Sequence, residues 1–165
     1  MPKSTPVYRA ATVNDLDALL QLRLAMFEAM GKAGPVLDAA IEPMRAYFAE
    51  HLPKGSFRAW IADVDGTAVA SIGLVIHHSP PSPYNPVGKR AYLMNLVTLP
   101  PYRRQGIARN LMKLVLDVVQ REGITQVSLH ASPQGRALYE ELGFRLYHRE
   151  DNPIMELTLQ SSSSR

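Results

Sequence analysis

Residues 57–78, FRAWIADVDGTAVASIGLVIHH, restrict the fold more than any other stretch of the chain. Apolar side chains recur there with a period of two, and Asp65-Gly66 interrupts the pattern near its middle. Asp-Gly between two alternating runs is the composition of a two-residue hairpin turn. The stretch predicts two antiparallel strands, which need further elements to cover them.

Those elements are readable on both sides. Residues 6–11 predict a first strand, and Thr12 followed by Asp15 has the form of a capping box. Leu16, Leu19, Leu20, Phe27 and Met30 then recur at helical spacing until Gly31 and Gly34-Pro35 stop the run. A second helix is expected over roughly 36–51, with Pro43 starting a new helix or kinking an existing one. After the hairpin, SPPSPYNPVGK reads as a loop and RAYLMNLVTL as a strand closed by Pro100-Pro101. A helix is expected over 105–122, a fifth strand over 126–131 and a short helix in PQGRALYEEL. GFRLYHR and PIMELTL (153–159) complete the pattern as sixth and seventh strands. The order β-α-α-β-β-β-α-β-α-β-β predicts one mixed α/β domain over 1–165, ordered over about 6–159 with a disordered tail at 160–165.

Composition narrows the function classes. With 165 residues the chain is long enough to bury a core. It has no cysteine, which excludes a thiol nucleophile and a thiolate metal site. A net charge of +3, from 18 basic and 15 acidic residues, is too weak for a nucleic-acid binder of this size. No apolar run has the length of a membrane span, and the first residues lack the apolar core of a secretory signal, so a cytoplasmic location is expected.

The helix start YRRQGIARNLMKLVLDVV breaks a local rule. A first helical turn leaves backbone N–H groups without partners and carries partial positive charge, so Asp or Glu normally sits there. No acid occurs between Val97 and Leu116; Arg103, Arg104 and Arg109 stand there instead. Cations at that end are unfavourable by about 0.3–1 kcal/mol each. A bound phosphate removes the conflict, and Gly106 lets it approach the backbone. The plainer reading is a helix start with solvated arginines. Spacing alone does not separate the two.

Arg103-x-x-Gly106-x-Ala108, after a strand ending at Pro100, resembles the Arg/Gln-x-x-Gly-x-Gly/Ala signature of the GCN5-related N-acetyltransferase (GNAT) superfamily. GRALYEELGF (135–144) is similar to that family's closing segment, a tyrosine-bearing helix that ends at Gly-Phe. The resemblance covers about residues 6–159. It implies a mostly antiparallel sheet of about seven strands with four helices, splayed between strands 4 and 5. It implies acetyl-CoA as donor, its pyrophosphate on the amides of Arg103, Arg104, Gln105, Gly106, Ile107, Ala108 and Arg109. The pantetheine arm would pair with the backbone of Leu96, Val97 and Thr98, and Tyr139 would protonate the leaving thiolate. The family often has an asparagine seven residues before that tyrosine; Ser132 stands there here.

Activity then follows as an expectation: direct acetyl transfer to a primary amine of a small molecule. The alternative is a non-catalytic acyl-CoA sensor or regulatory module of the same fold. Many relatives carry a catalytic acid on the fourth strand, whereas residues 90–99 contain none and offer Tyr92 and Asn95 as polar side chains. Glu28, His77, His78 or ordered water are the remaining base candidates, and His130 reads as structural. No nucleic-acid, membrane or metal partner is expected, and a homodimer is compatible with an exposed final hairpin.

Overall fold

The computed structural model describes residues 4–147 and 154–159. These form two compact units that divide after His130. The first holds a five-stranded sheet in the order β1-β2-β3-β4-β5. β1 (Val7–Ala10), β2 (Arg58–Val64), β3 (Thr67–His78) and β4 (Lys89–Thr98) run antiparallel to one another, and β5 (Val127–Leu129) joins β4 in parallel. The hairpin turn forms as expected. Val64 pairs with Thr67, and φ is 50° at Asp65 and 77° at Gly66, the geometry that suits twisted strands.

The capping box also forms. The Thr12 N–H donates to Asp15 Oδ2 at 2.7 Å and the Asn14 N–H to Thr12 Oγ1 at 3.3 Å, opening a single turn that leads into α1 (Leu16–Ala29). α2 (Pro35–Lys54) runs unbroken through Pro43, which therefore starts no new helix. The proline leaves the Ala39 carbonyl without its helical donor, but Ala39 is exposed and water can serve. α3 (Ile107–Arg121) is the amphipathic helix.

Ala59 and Ile61 of β2 pack with Leu19, Phe48 and Phe57 in one cluster edged by Val75 and Met94, so α1 and α2 cover that face. Trp60 and Ala62 alternate with them and point to the opposite face. There α3, which packs against β2, β3 and β4, buries Ile107, Leu111, Met112, Val115 and Val119. With both faces covered, residues 59–62 and 69–74 are buried without a break. Each fully buried side chain of the size of Leu20, Ile72 or Leu111 stabilises by about 1.5–3 kcal/mol.

β4 is the irregular strand. Gly73 pairs with Met94 and Ser71 with Val97, so Asn95 and Leu96 together oppose Ile72 in a β-bulge. Asn95 has φ of 55°, which asparagine tolerates better than most residues. β5 pairs with β4 only at Ala91, Tyr92 and Leu93. Beyond Leu93 the strand continues to Thr98 without β5, so the expected parting of strands 4 and 5 coincides with the bulge.

In the second unit α4 spans Arg136–Glu141. The expected sixth and seventh strands are not seen: residues 144–147 and 154–159 form no strand, and 148–153 lie outside the described residues. Leu146, Tyr147, Ile154, Met155, Leu157 and Leu159 are exposed. Alternation says which side chains would share a face, but a strand also needs a partner edge. Among the described residues the sheet therefore has five strands rather than seven. The tail expected at 160–165 also lies outside them.

Candidate active site

Pro100 and Pro101 end β4 because neither carries a backbone N–H. A short turn at Pro100–Tyr102 follows, and α3 begins at Ile107, two residues later than its pattern indicates. The delay has a cause in the backbone: Arg104 and Gly106 take φ of 61° and 79°. Left-handed backbone at an arginine costs about 1–3 kcal/mol, a local strain of the kind that functional loops retain.

Gly106 occupies the cap position without a side chain to cap with, and no acid stands in the first turn. A Cβ added at Gly106 would meet no protein atom within 4 Å, so the space above it is open. Among the described residues the N–H groups of Arg104, Gln105, Gly106, Ile107 and Ala108 donate to no protein acceptor. The first bond of the helix runs from the Asn110 N–H to the Gly106 carbonyl at 3.0 Å. Consecutive free amides at a positive helix end form an anion seat, and the exposed Arg103, Arg104 and Arg109 surround it with charge.

Two side chains tie this loop to the end of β4. Arg103 Nε donates to the Thr98 carbonyl at 2.9 Å, and Gln105 Nε2 donates to the Pro101 carbonyl at 3.0 Å. Arg103 thus positions the loop, a task that its spacing does not reveal. Thr98 Oγ1 is buried with no hydrogen-bond partner. An unsatisfied buried hydroxyl costs about 1–3 kcal/mol, and this one lies on the stretch of β4 that β5 leaves open. An orphaned hydroxyl, an unpaired strand edge and a row of free amides fit a long ligand with polar groups at one end and an anion at the other.

The same strand carries a second cluster where β4 and β5 are still joined. The Tyr92 hydroxyl lies 2.6 Å from His130 Nδ1, and the His77 ring centroid is 5.8 Å from that of Tyr92. His130, read from the sequence as structural, is an exposed imidazole bonded to a half-buried phenol. His78 and Glu28 are exposed and form no hydrogen bond or ring contact with this cluster among the described residues. Arg23, on α1, donates to Asn95 Oδ1 at the bulge and lies 4.9 Å from the Phe27 ring centroid. An apolar groove of about 500 Å³ between α1 and the β2–β3 turn is lined by no ionisable side chain.

Ser132 and Tyr139 belong to the second unit. Ser132 Oγ accepts from the Gly135 N–H at 3.2 Å, so its side chain supports the turn before α4. Tyr139 is only 8% exposed and packs edge-on against Phe144, with ring centroids 6.0 Å apart. A Cβ at Gly135 would sit 2.8 Å from the Tyr139 ring, so the glycine makes room for it. The hydroxyl has no hydrogen bond among the described residues, and burial pushes its pKa above the usual phenol value. Such a phenol holds its proton at neutral pH.

A profile of the acetyltransferase (GNAT) family matches residues 16–144 of the chain. The chain belongs to that family. A GCN5-related N-acetyltransferase from Ralstonia eutropha JMP134 is 31% identical and superposes with a TM-score of 0.82, covering 91% of this chain and 99% of that one. A predicted acetyltransferase from Clostridium acetobutylicum, solved with acetyl-CoA, gives the same TM-score of 0.82 at 25% identity, covering 93% and 96%. N-alpha-acetyltransferase 30 of Saccharomyces cerevisiae is 30% identical over 101 residues, 59% of this chain and 56% of the yeast protein. The curated relatives are thus spanned over little more than half their length at most. The residues matched by the family profile include both RRQGIA and LYEELGF.

Proposed function

We propose that the chain is an N-acetyltransferase that moves an acetyl group from acetyl-CoA directly to a primary amine of a small molecule. The observation that supports this most is the row of unbonded amides from Arg104 to Ala108 beside the parted edge of β4. In this reading the amides of 103–109 hold the pyrophosphate. The backbone of Leu96, Val97 and Thr98 holds the amides of the arm, with Thr98 Oγ1 gaining the partner it lacks. Ser132 contributes a hydrogen bond to the arm. The thioester supplies an activated acetyl group; the remaining chemistry is proton movement by the chain. The Tyr92–His130 pair takes the proton that the amine must lose, directly or through water, and Tyr139 gives its proton to the departing sulfur.

A second reading of the acceptor has its own support. The yeast relative is named an N-alpha-acetyltransferase, which favours an α-amino group as the nucleophile, on a peptide or an amino acid. Calorimetric titration with acetyl-CoA, followed by thiol release with a panel of amines and peptides, tests both. Binding with turnover supports the enzyme. Binding without turnover of any amine or peptide would favour the acyl-CoA sensor, and absent binding would overturn the site.

A further inference from the structure

We propose that Arg23 binds the acceptor, and that the amine acetylated by this chain carries a carboxylate. The proposal comes from a contrast among the arginines. Arg9, Arg23, Arg45 and Arg58 are the half-buried ones among the described residues. Arg9 is paired with Asp15 and Asp63, Arg45 with Asp17 and Glu42, and Arg58 with Glu122. Among the described residues Arg23 has no carboxylate partner; its hydrogen bond is to Asn95 Oδ1 and its guanidinium faces the ring of Phe27.

A guanidinium carries five N–H donors in a planar fork, so one bond to Asn95 leaves most of them available. Burial lowers the pKa of Arg23 from the usual arginine value, as for a cation drawn out of water with no anion to compensate. A bound carboxylate supplies that anion, matches the fork in shape and balances the single positive charge. A phosphate would bring up to two negative charges to one cation.

Location decides that this anion belongs to the acceptor. Asn95 is the bulge residue of β4, and Tyr92 stands three residues earlier on the face that meets α1 and α2. Tyr92 and Tyr47 both lie within electrostatic reach of the Arg23 guanidinium. A molecule with its carboxylate on Arg23 therefore presents its amine toward Tyr92 and His130. This last step rests on the acetyl-transfer reading; the anion site itself does not.

The test has two arms. Phenylglyoxal modification, read at each arginine by peptide mass spectrometry, needs no turnover. A mixture of common L-amino acids should protect Arg23 about fivefold or more, while their methyl esters should not. Thiol release then compares the same acids and esters, with Met-Glu and Met-Gln tetrapeptides added to distinguish a main-chain from a side-chain carboxylate. Arg23→Gln should lower kcat/KM for the carboxylate-bearing substrates about 10- to 100-fold and leave the esters within about twofold. Arg23→Lys should restore part of the loss, because it keeps the charge without the fork. Arg23→Gln should leave the melting temperature near wild type, and a large fall would mark Arg23 as structural and sink the proposal. Equal protection by acids and esters, or an unchanged acid-to-ester ratio in Arg23→Gln, would also overturn it. Protection without any thiol release would sustain the anion site and overturn the acetyl-transfer reading instead.

Discussion

The corner around Arg9 and the contact of Arg23 with the β4 bulge treat the same side chain in opposite ways. Arg9 meets Asp15 through two parallel bonds of 2.8 and 2.7 Å and reaches Asp63 at 2.5 Å. Asp15 also accepts from the Thr12 N–H, so one carboxylate joins β1, β2 and the start of α1. Nothing there is left for a ligand. Arg23 is also drawn out of water, yet it receives an amide oxygen and a ring where a carboxylate would be expected. The start of α3 shows the same pattern in backbone form, with unbonded amides and no acid in its first turn. Where the chain uses charge for structure it supplies both signs. Where it supplies one sign, the other is expected from a ligand.

That distinction can be broken at several points. The largest effect is expected for Gly106→Glu, which forces a side chain onto φ of 79° and places a negative charge over the free amides. Acetyl-CoA affinity should fall about 1000-fold by calorimetry with folding retained, since strain and like-charge repulsion add. Unchanged binding would mean that the seat is only an uncapped helix. Tyr139→Phe removes the second group that awaits a partner; kcat should fall about 100-fold with acetyl-CoA affinity unaltered.

The paired corner should answer in stability and not in activity. Asp15 is buried, and chiefly its hydrogen bonds with Arg9 hold its pKa at about 2. A depressed carboxyl pKa stabilises the fold above the unfolded value of about 4 and loses that contribution as pH falls toward 2. Asp15→Asn should therefore cost about 2 kcal/mol at pH 7 in denaturant melts and flatten the acid limb of the stability curve. A full acid limb in the variant would assign it elsewhere. Arg58→Ala breaks a more exposed pair with Glu122, one of whose bonds is 3.1 Å, and should cost less than about 1 kcal/mol.

Local chemistry was legible in the sequence because its partners are near neighbours. The Asp65-Gly66 turn, the Thr12–Asp15 box and the acid-free start of α3 each lie within a few residues, and all three form. The acceptor side depends on pairs far apart in sequence. Arg23 meets Asn95 across 72 residues and Tyr92 meets His130 across 38, and neither spacing has a local signature. Asn95 between the apolar Met94 and Leu96 is the one local hint of a bulge. For the last two strands, alternation was present in GFRLYHR and PIMELTL, but alternation does not specify a neighbouring edge.

The bulge in β4 has a further consequence in counting. Tyr92 and Thr98 are six residues apart, and in a regular strand an even separation puts both side chains on one face. The doubled position at Asn95 and Leu96 shifts the phase by one. Tyr92, opposite Val75, therefore looks toward α1 and α2, while Thr98, opposite Ala70, looks toward α3. One strand thereby serves two compartments. Deleting one bulge residue would leave the two side chains five apart and still on opposite faces. Inserting one residue into β3 opposite the bulge, at Ile72, would let six regular positions pair and send both to the same side, with neither of them mutated.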